Sequence, residues 1–159
     1  MRKTIKYPAL IFLFSIISSD ICQPVSITVS GDWSETIDVS DLQSGAGSDL
    51  IDTYESASDQ VDIDINIGGS GQWQVDVRKT DTNWHSNFQL SVVRTADGQG
   101  TGNISGGTSY QEVTDTDQIF FEGSKNRTNI GAQLKLSGVS VQIPPDTYTT
   151  TIYYTVSEG

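Results

Sequence analysis

The side chains able to do chemistry are few and scattered. His85 is the only histidine and stands in Trp84-His85-Ser86. A nucleophilic serine needs a histidine base that is itself held by a carboxylate. The Gly-x-Ser-x-Gly elbow that would expose such a serine between strand and helix does not occur. Paired carboxylates across a cleft would suit glycoside hydrolysis, but Asp62, Asp64 and Asp76 fall on the solvent side of alternating segments. Calcium accepts six to eight oxygens and tolerates loop geometry. Asp115 and Asp117 are its candidate ligands, or else Asp49, Asp52 and Asp59, although the Asp-x-Asp-x-Asp-Gly loop with a closing Glu is missing. Zinc and haem lack ligands altogether. The residues therefore predict a chain that is not an enzyme, needs no cofactor and holds no assigned metal.

Aromatic residues offer a second kind of chemistry, the stacking of rings on sugars. Trp33 and Trp73 fit the core-facing register of their segments, where a buried Trp is common. Trp84 follows Asp81-Thr82-Asn83 in a polar stretch, and is the candidate ligand-binding residue if the chain takes a glycan.

The start of the chain reads as an export signal. Arg2, Lys3 and Lys6 precede an apolar run over residues 7–17, followed by the small residues Ser18 and Ser19. That order of charge, short apolar middle and small residues is the layout of a signal peptide, and the run is shorter than the ~20 residues that cross a bilayer as a helix. We expect residues 1–22 to be the signal, with a cut after Ser19 or after Cys22, and residues 23–159 to be one domain without a membrane span. Cys22 is the only cysteine, so no intramolecular disulfide can form. The expected destination is the medium, the periplasm or the cell surface. The formal net charge of the 159 residues is −11, and losing Arg2, Lys3, Lys6 and Asp20 makes it −13. Such a surface repels phosphates, so nucleic-acid partners are excluded.

From Val25 onward the dominant period is two, the mark of half-buried strands. Val25, Ile27 and Val29 alternate with polar residues, as do Val61, Ile63, Ile65 and Ile67, then Trp73, Val75 and Val77. Gly68-Gly69-Ser70-Gly71 between the last two runs predicts a β-hairpin. Phe88, Leu90 and Val92 form a further strand ending at Asp97-Gly98, after which residues 98–107 read as a mobile glycine-rich loop or a loose hairpin. Weaker strands run from Tyr110 to Val113 and from Ile119 to Phe121, with Asp115-Thr116-Asp117 as the turn. Ile130, Ala132, Leu134 and Leu136 alternate, then Val139, Val141 and Ile143, and Pro144-Pro145-Asp146 breaks the ladder. A last strand carries Tyr148, Thr150, Ile152, Tyr154 and Val156 on one face. Trp33, Ile37, Val39 and Leu42 suggest one short strand, and residues 44–58 a loop with at most a helical turn. About eight or nine short strands without a sustained helical period predict an all-β, antiparallel, immunoglobulin-like β-sandwich.

The segment Val139-Ser140-Val141-Gln142-Ile143-Pro144-Pro145-Asp146-Thr147-Tyr148, continuing through the Thr-rich alternation to Val156, resembles the end of bacterial extracellular immunoglobulin-like and pilin-like domains. In that group, which includes spore coat protein U and fimbrial subunits, a Pro-[Gly/Asp]-x-Tyr turn leads into a Thr-rich strand. Asp146 stands where those families usually have Gly, and the disulfide many of them carry cannot be made here. The resemblance implies the sandwich fold and does not extend to polymerisation.

These features together predict a non-catalytic structural or accessory subunit of an extracellular or pilus-like surface assembly. Its partners would be other extracellular subunits or a surface glycan. The edge strands expected to meet a partner carry Val25, Ile27 and Val29 at one end of the chain, and Tyr148, Ile152 and Tyr154 at the other. A carbohydrate-binding module using Trp84 is the alternative, and a secreted hydrolase the third reading.

Overall fold

The computed structural model describes residues 24–159. The expected signal peptide, its two cut sites and Cys22 lie outside the described residues. The described residues form ten strands in two antiparallel sheets. They are β1 (Ser26–Ser30), β2 (Tyr54–Glu55), β3 (Val61–Asn66), β4 (Gln72–Asn83), β5 (Gln89–Arg94), β6 (Ile104–Gly106), β7 (Gln111–Glu112), β8 (Gln118–Ser124), β9 (Arg127–Ser137) and β10 (Thr149–Glu158). The first sheet runs β1-β3-β9-β5-β7, with β2 also bonded to β9; the second runs β10-β4-β8-β6. All-β sandwich architecture follows directly from the two-residue period, since alternate side chains point to opposite faces and each sheet has one apolar face to bury.

The apolar rows of β3 and β4 make the centre of the core. Val61, Ile63, Ile65 and Ile67 from the first sheet meet Trp73, Val75 and Val77 from the second, all buried. Trp73 packs edge-on against Phe121 with ring centroids 5.9 Å apart, and its indole N–H donates to the Lys125 carbonyl at 2.7 Å. That bond satisfies the one polar group a buried Trp brings with it. A bulge in β8 opposite Val75 and Asp76 breaks the alternation, so Phe120 and Phe121 are neighbours in sequence and both buried.

No strand pairs with the strand next to it in sequence. From β4 onward each strand lies in the sheet opposite its predecessor's. The expected hairpin at Gly68-Gly69-Ser70-Gly71 is therefore corrected: these residues carry the chain between the sheets. A continuous apolar row on both sides of the loop is buried equally well by facing sheets as by adjacent strands, and here the first arrangement is adopted.

Three further expectations are corrected. Residues 139–143 are not a strand: Val139 is buried, Val141 is 54% exposed, and the Asp49 carboxylate accepts the Val141 N–H at 2.8 Å. The short strand expected around Ile37 and Val39 is instead a 3-10 turn over Val39–Asp41, capped reciprocally by Asp38 and Asp41, with Val39 84% exposed. Residues 44–58 do form loop for the most part, but they include the short strand β2.

The glycine-rich stretch 98–107 is neither loose nor a hairpin. Its residues Ile104–Gly106 are β6, bonded to β8, and Gln99 bridges to Thr128. Two buried arginines hold it from beneath. Arg94 pairs with Asp97 and donates to the Gly106 carbonyl at 2.9 Å, while Arg127 donates to the carbonyls of Asp97 and Gly102. A Cβ on Gly102 would stand 1.7 Å from the Ser124 carbonyl oxygen, so only glycine permits this approach. Gly102→Ala is expected to cost about 1–3 kcal/mol through overpacking, whereas Gly69→Ala, with nothing within 4 Å of the new methyl, should stay within about 0.5 kcal/mol of the parent. Urea midpoints of the two variants check the contrast.

Candidate functional site

Each sheet ends in two strands with only one bonded neighbour, and the four ends are not alike. On one side lie β6 and β7, of three and two residues. On the other lie β1 and β10, of five and ten residues, which contact each other across the sandwich. A sheet edge presents unpaired N–H and C=O groups, and short strands, charges, Pro and bulges are the usual means of blunting it. Brevity blunts β6 and β7. Over residues 149–157, β10 has no charged residue, no Pro and no Gly, and its register against β4 is unbroken beyond Thr150.

The inner face of this open side is apolar and incompletely covered. Ile152, Tyr154 and Val156 of β10, with Val25 and Ile27 from the other sheet, pack against the core yet remain half-buried. Val29 is 38% exposed. Burial of the Tyr154 ring end leaves its hydroxyl enclosed without a hydrogen-bond partner, and desolvation pushes the phenol well above its ordinary pKa. The outer face carries Tyr153, 43% exposed, with the Arg78 guanidinium 4.3 Å from its ring centroid. Arg78 in turn meets Asp117 at 3.4 Å, and the neighbouring Ile119 is 60% exposed. Tyr and Arg are the residue types most often found at the energetic centres of protein interfaces.

The entry to β10 is clamped. Tyr148 lies one residue before the strand, not in it, and its ring turns to Phe88 at 5.0 Å and to His85 at 6.1 Å. The Tyr148 hydroxyl donates to the Pro144 carbonyl at 2.7 Å, and Asn83 donates to the Thr147 carbonyl at 2.8 Å. Asp49, whose carboxylate is drawn below its ordinary pKa by the amides of Val141 and Leu50, ties down the connection from β9. The strand thus leaves a fixed point and runs along the open edge.

The remaining predicted residues stand elsewhere. Trp84 is half-buried; its indole N–H donates to the Phe88 carbonyl at 3.2 Å and its ring meets Phe88 edge-on at 5.3 Å. The Lys79 ammonium lies 5.3 Å from the ring centroid. Asp115 and Asp117 sit exposed in the turn between β7 and β8, where Asp117 answers Arg78. Val25 immediately precedes β1 as Tyr148 precedes β10. Among the described residues no three of His, Cys, Asp and Glu converge on one point, and no helix is long and apolar enough to cross a membrane.

A shallow cleft of about 270 Å³ lies over β4, β8 and β6, lined by Gln72, Gln74, Asn103, Ser105 and Glu122. Several of its polar groups bond within the protein: Gln74 donates to Asp76 at 2.8 Å and Ser105 to Glu122 at 3.2 Å. Trp73 borders the cleft but is 1% exposed, so it presents no ring face.

Tyr153 and Arg78 escaped the reading of the sequence because alternation assigned both to the wet face. A Tyr among threonines on that face was the available signal. No protein-family model, curated protein or solved structure matches the chain.

The enclosed Tyr154 hydroxyl has a titration consequence. The unfolded chain loses the phenol proton near pH 10.0, whereas the native strand retains it. The stability associated with this group is complete below that pH and is lost as pH rises through the raised native pKa. Tyr154→Phe removes both the orphaned hydroxyl and this alkaline loss, and is expected to be neutral or stabilising by up to about 1 kcal/mol. Urea unfolding of parent and variant at neutral and alkaline pH measures it.

Proposed function

We propose that this protein is an exported, non-catalytic structural or accessory subunit of an extracellular or pilus-like surface assembly, joined to its neighbours along the side where β1 and β10 end their sheets. The observation that supports this reading most is the asymmetry of the edges. The far side is closed off by strands of two and three residues, while β10 offers nine residues without a charge before Glu158. Strand addition at such an edge supplies main-chain hydrogen bonds for affinity, and the alternate side chains supply specificity. The half-covered row of Ile152, Tyr154 and Val156 adds apolar area that an incoming strand would remove from water.

The acidic surface accords with life as a soluble subunit before incorporation, because a net charge far from zero keeps chains apart in solution. It also limits contact to places where charge is absent, and residues 149–157 are such a place.

Thr151 and Thr155 are exposed on the outer face of β10, opposite Thr80 and Asp76. Lysine at both positions leaves the core untouched and blunts the edge. Native cell-surface extracts run on unheated gels should show species above monomer mass for the parent. The Thr151→Lys/Thr155→Lys variant should run as monomer with an unchanged urea midpoint. Monomer alone from the parent surface, or undiminished higher-mass species from the variant, would refute the reading.

A further inference from the structure

We infer that the occupant of the β10 edge is a second copy of the same chain, paired antiparallel across a two-fold axis through Tyr153. This rests on the reading of β10 as an assembly edge and names the partner that edge takes.

Self-pairing imposes a strict condition. In an antiparallel pair, residues directly opposite one another lie on the same face of the sheet. In β10 the inner face is Thr150, Ile152, Tyr154 and Val156, and the outer face is Thr149, Thr151, Tyr153, Thr155 and Ser157. A two-fold axis between two residues would oppose an inner side chain to an outer one and is excluded. An axis through Tyr153 satisfies the condition all along the strand. Ile152 then faces Tyr154 of the second copy, Thr150 faces Val156, Thr151 faces Thr155 and Thr149 faces Ser157. The inner row continues from one copy into the other as apolar contacts, and the outer row consists of hydroxyl pairs around a central pair of tyrosines.

Charge confines such a pairing to the same strip. Each copy of residues 23–159 carries a formal −13, so most approaches between copies are repulsive. The paired residues 149–157 carry none of that charge. The outer row already holds the Arg78 guanidinium against each Tyr153 ring at 4.3 Å. Two such pairs meeting at the axis give the sequence Arg78, Tyr153, Tyr153, Arg78, with both cations at the flanks and both rings at the centre. Salt screens the overall repulsion without weakening an uncharged ladder, so the dimer should tighten as ionic strength rises.

Cysteine cross-linking in the full chain carrying Cys22→Ser reads the register. Directly opposite Cα atoms stand roughly 4.5–5.5 Å apart, within disulfide reach. Tyr153→Cys should give a covalent dimer under mild oxidation. Thr151→Cys alone and Thr155→Cys alone should stay monomeric, because each lies about 13 Å from its own image. Mixing those two variants should yield a heterodimer. Thr116→Cys, in the exposed turn between β7 and β8 and outside the paired strand, serves as the collision control. Cross-linking of Thr151→Cys with itself would overturn the axis through Tyr153, and together with self-cross-linking of Tyr153→Cys it would mean parallel pairing. A wild-type chain that sediments as monomer at high salt, with Tyr153→Cys no more reactive than Thr116→Cys, would overturn self-pairing. In that event higher-mass surface species abolished by Thr151→Lys/Thr155→Lys would still uphold an assembly edge taken by a different protein, whereas a surface that holds monomer alone would remove both.

Discussion

Along the outer side of β10, backbone N–H and C=O groups have no strand beyond them among the described residues. Water satisfies these groups in the isolated chain, but an edge with nine uncharged residues in a row is a standing template for another strand. The surrounding structure keeps that edge straight and presented. Ten residues of register with β4 hold it from one side, and the cluster of Phe88, His85 and Tyr148 fixes where it begins. Tyr154 anchors its inner face by packing against Phe120, with ring centroids 6.2 Å apart.

The path of the chain explains why the open strands are the first and last described. From β3 onward successive strands alternate between sheets, so each ladder is completed by segments distant in sequence. Among the described residues β10 has only β4 to bond, and β1 only β3. Pairings of this kind close large loops before any contact rewards them, and such topologies fold slowly. Exposed strands during slow folding invite aggregation. The acidic surface opposes it by keeping chains apart.

The core was legible because a period of two needs no knowledge of the partner. Val61, Ile63, Ile65, Ile67, Trp73, Val75 and Val77 are buried wherever their strands are placed, provided each sheet has one dry face. Which strands are neighbours was not legible, since alternation reports the face a side chain takes and not the strand beside it. The loop Gly68-Gly69-Ser70-Gly71 can turn within a sheet or step between two, and nothing local decides. Val139, Val141 and Ile143 alternate as a strand would, but Gly138, at φ 82°, turns the chain where a Cβ would lie 1.9 Å from the Asn87 carbonyl oxygen. Phe120 and Phe121 read as a weak strand because a bulge spoils their period. Of the candidate site, Ile152 and Tyr154 followed from alternation, whereas the pairing of Tyr153 with Arg78 depends on a register across 75 residues of chain.

Hydrogen exchange along β10, resolved residue by residue, reaches the open edge most directly. In dilute monomer, amides directed at β4 should be protected and those of the alternate residues should exchange fast. In the assembled protein both sets should be protected. Uniform protection in the dilute monomer would mean that the edge is already covered. An alternate set that stays fast after assembly would mean that β10 is not where subunits join.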